Sequence, residues 1–291
     1  MRTLEAELVL DAHAVVGEGP HWDADSSRLL WIDITPGEVH WFDPETGEDS
    51  MTNVGTMVGA AVPCENGGLV LAVPDGFALM DDDGKITSIA DVEADVPDNR
   101  MNDGKCDSQG RFWAGTMDMN LAEPVAALYR LGVDRSVEKM VSDVILSNGL
   151  GWSPDDTLMY YIDSMKRCVD VFDYDSADGI VHNRRTVARI ADDEWIADGM
   201  TVDTEGYIWV CVYGSGLVRR YDPEGAPDLE VRLPVSNVTS CAFGGPDLGD
   251  LYITTAAQMM SEEELREQPN AGGIFRARTG HTGMLPHNFR G

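Results

Sequence analysis

The sequence predicts an all-β chain folded as a six-bladed β-propeller with a metal site in its central channel. Two observations predict the ring: short apolar strands recur behind tight turns, and their spacing is nearly regular. A third predicts the site. Lone polar residues fall at nearly one phase of the repeat in four of its units.

The expected strands cover residues 28–33, 69–73, 112–115, 158–163, 207–211 and 251–254. Before them stand turn dipeptides such as Asn66-Gly67, Gln109-Gly110 and Glu205-Gly206, and the run Pro154-Asp155-Asp156. That is hairpin chemistry, because glycine and proline supply the backbone angles tight turns need. Anchors on Trp31, Leu71, Trp113, Tyr160, Trp209 and Tyr252 lie 40, 42, 47, 49 and 43 residues apart. A period of roughly 40–50 residues built from short strands is the signature of propeller blades. A third strand follows several pairs, as at 39–44 and 217–223, both ending in Asp-Pro. Sandwiches rarely repeat so regularly, and β-helix coils are much shorter. The one expected helix is short, over 261–268. The run 4–10 is expected to add a strand to the blade containing 273–278, closing the ring and removing an exposed edge.

A chain of 291 residues exceeds the usual size of one core. Blades pack only on their neighbours, so a propeller escapes that limit, and 1–291 reads as one domain. No run of about 18 apolar residues is present to span a membrane. The start Met1-Arg2-Thr3-Leu4-Glu5-Ala6-Glu7 has acids and no signal-peptide core, so a cytoplasmic location is expected. The net charge of −30 argues against nucleic acid, whose phosphates it would repel. A neutral small molecule would not be repelled. Cys64, Cys106, Cys168, Cys211 and Cys241 are scattered singly and read as small buried hydrophobes.

Glu18, Asp103, Asn148 and Asp198 precede their anchors by 13, 10, 12 and 11 residues. In a propeller the innermost strand of each blade lines the channel. Residues at its start lie near one mouth, so side chains 180 positions apart can converge. Glycine follows each one, which lets the backbone bend and a ligand approach. The ligand set would be Glu18, Asn148 and Asp198, with Asp103 nearby. Oxygen donors favour Ca²⁺, Mg²⁺ or Mn²⁺, and one divalent cation is expected, Ca²⁺ first, with Zn²⁺ also admissible. Asn-Gly and Asp-Gly are also turn dipeptides, so each residue alone could merely shape a loop. Four at one phase make that reading the weaker one. The stretch from Asp23 lacks the glycine and glutamate of a calcium loop, and no phosphate loop or Gly-x-Ser-x-Gly elbow occurs.

The segment Asn99-Arg100-Met101-Asn102-Asp103-Gly104-Lys105-Cys106-Asp107, continuing through Gly110-Arg111-Phe112-Trp113-Ala114-Gly115-Thr116-Met117, resembles the senescence-marker-protein-30 / gluconolactonase / regucalcin family. Supporting stretches are Gly17-Glu18-Gly19-Pro20, Ser147-Asn148-Gly149-Leu150, Tyr161-Ile162-Asp163-Ser164, Asp198-Gly199-Met200 and Ala271-Gly272-Gly273-Ile274-Phe275. The resemblance runs in order from about residue 14 to 277. It implies a six-bladed propeller with one divalent cation and hydrolysis of sugar lactones. It implies metal ligation by Glu18, Asn148 and Asp198, with Asp198 also the catalytic acid/base, and sugar binding by Arg100 and Asn102. Some members place a glutamate after the Gly-Thr-Met stretch. Here that place holds Asn120, a candidate substrate contact, with Asp118 and Glu123 close by.

The expected function is metal-dependent opening of a small neutral sugar lactone, by a monomer or weak homo-oligomer. The rivals are an esterase or organophosphate hydrolase on the same scaffold, and a non-enzymatic calcium-binding propeller.

Overall fold

The computed structural model describes residues 1–191 and 194–291. Six sheets, antiparallel except for one added strand in the fifth, follow one another along the chain. Their innermost strands are Gly17–Asp23, Ala60–Pro63, Asn99–Cys106, Ser147–Trp152, Ile196–Val202 and Val238–Gly244. Each inner strand touches the inner strands on both sides, and the last touches the first, so the sheets form a closed ring of blades around one channel. Each of the six sequence anchors lies on the second strand of its blade, and the six expected units are the six blades.

One apolar core lies between each pair of adjacent blades. Trp209, Cys211 and Val231 of the fifth blade pack with Phe243, Leu251 and Phe275 of the sixth. Trp22, Trp31 and Phe42 of the first pack with Tyr252 and Ile274 of the sixth. The clusters at the other four interfaces have the same character. Burial of these side chains at roughly 25 cal/mol per Å² drives association of each blade with its neighbours. This explains why the cysteines sit where they do: Cys106, Cys168, Cys211 and Cys241 are buried and Cys64 half-buried, and all five are free thiols.

The expected N-terminal strand at 4–10 is corrected in one respect. It is two strands that part at Ala6. Glu7–Leu10 completes the sixth blade antiparallel to Ile274–Arg278. Arg2–Glu5 lies parallel on Pro227–Arg232 as a fifth strand of the fifth blade. Ala6 N donates to Arg232 O at 2.9 Å, so the fifth blade holds the chain up to the point where it crosses. The first ten residues thus tie two blades together and cover two edges. The helix is Glu262–Glu267, with Ser261 and Glu264 forming a reciprocal capping box.

The C-terminal segment has no counterpart in the predicted repeat. It bridges Gly283 to Asp203 on one side of the ring and Phe289 to Cys64 on the other. Phe289 is fully buried between the second and third blades. Residues 284–288 therefore cross the mouth at the C-terminal ends of the inner strands. Among the described residues, no helix is long and apolar enough to cross a membrane.

His21, near that mouth, is buried, and desolvation lowers its pKa from 6.5 to about 4. A histidine held neutral in the fold binds fewer protons than its unfolded counterpart. Stability present above pH 6.5 is then lost as pH falls toward 4, by up to about 3 kcal/mol. Denaturant unfolding from pH 7 to pH 4 should show this slope, and His21→Gln should flatten it. Equal slopes in the two proteins would refute the assignment.

Candidate metal and catalytic site

The common phase of the polar residues has a physical cause. In five blades the pairing of the first two strands slips by one residue at the same level. Glu18 pairs Ile32 while His21 pairs Leu30, and Met101 pairs Thr116 while Gly104 pairs Ala114. Asn148 pairs Ile162 while Leu150 pairs Tyr161, and Ala197 pairs Val212 while Met200 pairs Val210. The sixth blade slips between Val238 and Cys241, whereas the second pairs without a slip. A one-residue bulge bends a strand and re-aims its side chains, a device common beside active sites. The polar residues thus lie inside the strands at bulges, rather than in the turns that precede them.

The glycines have a different use from the expected one. A Cβ on Gly149 would lie 2.8 Å from Asp198 O, and one on Gly199 would lie 2.2 Å from Ser240 Oγ. Neighbouring inner strands approach too closely there for any side chain. The Asn-Gly and Asp-Gly pairs are packing features of the ring, and the turn reading is set aside.

Glu18, Asp103 and Asp198 are all buried. Burial and mutual repulsion push the carboxyls of Glu18 and Asp198 well above their usual range: Glu18 is raised by desolvation and then by Asp198 and Asp103, and Asp198 by desolvation and then by Asp103. Asp103 is raised by desolvation, against the pull of Lys105. The three acids of three blades are therefore near enough to act on one another. Local hydrogen bonds relieve two of them only in part: Gly19 N donates to Glu18 Oε2 at 2.8 Å, and Gly104 N to Asp103 Oδ1 at 2.7 Å. Among the described residues, no hydrogen bond reaches the carboxylate of Asp198.

A directed chain of donors fixes the amide of Asn148. Ser164 Oγ donates to Ala197 O at 2.6 Å, so it must accept from Asn148 Nδ2 at 2.8 Å. That puts Asn148 Oδ1 on the other side, where Asn102 Nδ2 meets it at 2.9 Å. Asn102 Nδ2 also donates to Ser147 O, and Asn102 Oδ1 accepts from Arg100 NH1 at 2.9 Å. Arg100, Asn102 and Asn148 are thus one network, coupled to the acids through the attraction between Arg100 and Glu18. Desolvation lowers Arg100 to about 10, which leaves it cationic at neutral pH.

Two further carboxylates aim these strands. Asp33 accepts from Val15 N and Val16 N at 2.8 and 2.9 Å, just before Glu18. Asp163 accepts from Leu146 N at 3.2 Å, just before Asn148. Asn120 lies on the exposed turn after the strand Phe112–Asp118, its N donating to Asp118 at 2.9 Å; among the described residues, no side-chain hydrogen bond joins it to the network. Sequence reasoning gave Ser164, Asp163 and Lys105 no role. All three stand in motif stretches, but only their partners in space reveal what they do. Tyr213 was missed as well; the charge on Asp198 raises its pKa, after desolvation, to about 12, and its ring lies 6.2 Å from exposed Trp195.

A second cluster, Asp203, Glu205 and His281, brings three potential ligand atoms within 4.8 Å of one another. It is already neutralised. Arg220 donates to Asp203 at 2.9 Å and to Glu205 at 2.6 Å, and His281 meets Glu205 at 2.7 Å. This is an ion-pair network at the ring's edge of the fifth blade. Among the described residues, no arginine, lysine or histidine hydrogen-bonds to Glu18, Asp103 or Asp198.

Comparison with known proteins agrees with this architecture. Residues 16–257 match the family described as the SMP-30/Gluconolactonase/LRE-like region. Regucalcin of Danio rerio is 43% identical over 296 residues, covering all of both chains. YvrE of Bacillus subtilis, whose name assigns it provisionally as a sugar lactone lactonase, is 40% identical over 293 residues, covering 99% of each. The crystal structure of a calcium-binding protein, regucalcin, from Agrobacterium tumefaciens superposes with a TM-score of 0.95 at 26% identity, covering 100% of this chain and 99% of that one. With a full-length propeller, a family match over most of its length and relatives near 40% identity, this chain belongs to the SMP-30/gluconolactonase/LRE-like family.

Proposed function

We propose that this protein is a divalent-cation-dependent hydrolase that opens sugar lactones to the corresponding acids. The observation that carries the reading is the convergence of three buried, mutually repelling carboxylates beside an asparagine amide of fixed orientation. Buried like charges are unfavourable unless paired or coordinating a metal. The residues therefore fit a cation: Glu18, Asn148 and Asp198 would hold it through oxygen, with Asp103 beside them. Ca²⁺ suits such donors first, and Mg²⁺, Mn²⁺ or Zn²⁺ remain alternatives. The B. subtilis relative's name supports the lactone, and the A. tumefaciens relative's description supports calcium.

When bound, the cation would supply the Lewis acidity that polarises an ester carbonyl. The protein's own groups would do the rest. Asp198 can accept a proton from water as its oxygen bonds to the carbonyl carbon. As the ring C–O bond breaks, Asp198 returns that proton to the departing alkoxide. Arg100 and Asn102, already locked to each other, would hold sugar hydroxyls in place, with Asn120 a further contact on the adjoining turn. Ser164 would keep the oxygen of Asn148, and not its nitrogen, toward the site. The net charge of −30 is compatible with a neutral substrate.

The deciding experiment is a pH-indicator assay over several aldonolactones, with chelator and metal add-back. Metal-restored lactone opening is expected, and a phosphotriester in the same panel separates the rival hydrolase. Lactone turnover absent with every metal would leave the calcium-binding role instead. Asp198→Ala should lower kcat by about 10²–10⁴-fold with an unchanged circular dichroism spectrum, and full activity would overturn the mechanism. Glu18→Gln should raise the metal Kd about tenfold or more by calorimetry on chelated protein. Ser164→Ala should weaken metal binding about 10–100-fold, and Ser164→Thr should restore much of it; identical calorimetric affinities would exclude the positioning role.

A further inference from the structure

A cavity of about 380 Å³ lies at the C-terminal end of the same inner strands. His21, Cys106, Gly151 and Thr201 border it, each three residues beyond a member of the acidic site. At about 3.3 Å per residue the two are roughly 10 Å apart along the strands. Trp152, Ala242 and Phe243 give it apolar walls, and Met284 and Leu285 of the crossing C-terminal segment form part of its lining. That segment is fastened on both sides. Thr204 N donates to Thr282 O and Gly283 N to Leu248 O, while Phe289 N donates to Pro63 O and Arg290 N to Gly110 O. Ligand pockets have this size and character: mostly apolar, with a few convergent polar groups.

Its lining also carries polar side chains, among them the nitrogen groups of His21, Lys105 and His287. His21 is 5% exposed, lines the cavity, and its Nε2 has no hydrogen-bond partner among the described residues. Lys105 also lines it; its ammonium carries three donors and gives one to Met200 O at 2.8 Å. A buried polar atom without a partner is unfavourable, and Nε2 is such an atom, even though the Asn288 side chain interacts with the His21 ring. Asp156, half-buried, is the one acid in the lining. None of these residues has a part in the proposed lactone chemistry, and the inference does not rest on it.

We propose that this cavity is a binding site for a small amphipathic monoanion, an aromatic or branched apolar body bearing one carboxylate or sulfonate. The apolar body lies against Trp152, Phe243 and Leu285. The anion meets the ammonium of Lys105, and His21 Nε2 completes the polar contact. The exposed charge of the chain does not forbid this, because at physiological salt it is screened beyond about 8 Å; the buried acids that act on Lys105 are Asp103 and Glu18, so the anion shares that ammonium with them.

The test uses two fluorescent probes at 0.15 M salt: anionic 1-anilinonaphthalene-8-sulfonate and neutral N-phenyl-1-naphthylamine. Chelated and Ca²⁺-loaded protein should both bind the anionic probe saturably, one per chain, with blue-shifted emission. Ala242→Phe, which fills the cavity, should weaken binding at least about tenfold while lactone turnover stays unchanged. Leu285→Asp, at an exposed position of the crossing segment, should weaken it too, and this variant serves if the first fails to fold. Lys105→Met should weaken the sulfonate about tenfold and the neutral probe less than about twofold, as loss of one charge-assisted contact requires. Absence of saturable binding, or equal binding by both cavity variants and the unaltered protein, would overturn the site. Equal effects of Lys105→Met on the two probes would overturn its preference for an anion.

Discussion

The structure depends on one constraint: six inner strands must pack around a common axis while five of them carry a one-residue bulge at the same level. Packing alone would favour regular strands lined by small apolar side chains, which is what the second blade has in Ala60 and Ala61. The bulges instead place Glu18, Asp103, Asn148 and Asp198 in the interior. Desolvating several polar groups there is unfavourable by an amount comparable to a domain's whole net stability. The fold tolerates it because each blade is held by apolar cores on both sides. Gly149 and Gly199 let adjacent strands close tightly at that level, so the bulges do not open the ring.

The electrostatics of the channel are unbalanced in a directed way. Of the two nearby cations, Arg100 donates to Met101 O and Asn102, and Lys105 donates to Met200 O. Each is engaged with backbone or amide oxygens, and neither forms an ion pair with the acids. The result is a rigid polar frame with a localised surplus of negative charge. Rigidity follows from the donor sequence that runs from Arg100 through Asn102, Asn148 and Ser164 to Ala197 O. Reversing any amide in it would set donor against donor. Such preorganisation is what a site for a small hard cation or a developing charge requires.

The ring was legible in the sequence because turn chemistry and a period near 40–50 residues are local signals. The phase of Glu18, Asn148 and Asp198 was legible for the same reason. Its cause was not, since a bulge is a relation between two strands, and Asn-Gly within a strand reads like Asn-Gly in a turn. The run 4–10 shows the same limit: its apolar pattern announces a strand, but only the geometry of two adjoining blades divides it at Ala6. Ser164 was invisible for a third reason. A serine after a strand is common, and its role exists only through Asn148 on one side and Ala197 on the other. The segment after residue 279 carries no repeat at all, so its path across the mouth could not be read from periodicity.

The two acidic clusters show how charge pairing separates structure from function. Asp203 and Glu205 face Arg220, whose guanidinium also stacks 3.6 Å over the ring of Tyr207 and reaches Asp228 at 2.5 Å. Each charge there has a partner, and the network ties the inner hairpin turn of the fifth blade to Arg220 and Asp228 of its outer strands. Glu18, Asp103 and Asp198 are more deeply buried than Glu205, yet among the described residues none of them is hydrogen-bonded to a counter-charge. Stability alone would remove one acid or supply an arginine, as the fifth blade does with Arg220. Keeping three acids together where each raises the others' protonation makes physical sense only if something outside the chain completes the site. That difference in pairing, rather than the density of carboxylates, is what favours the channel as the proposed functional centre.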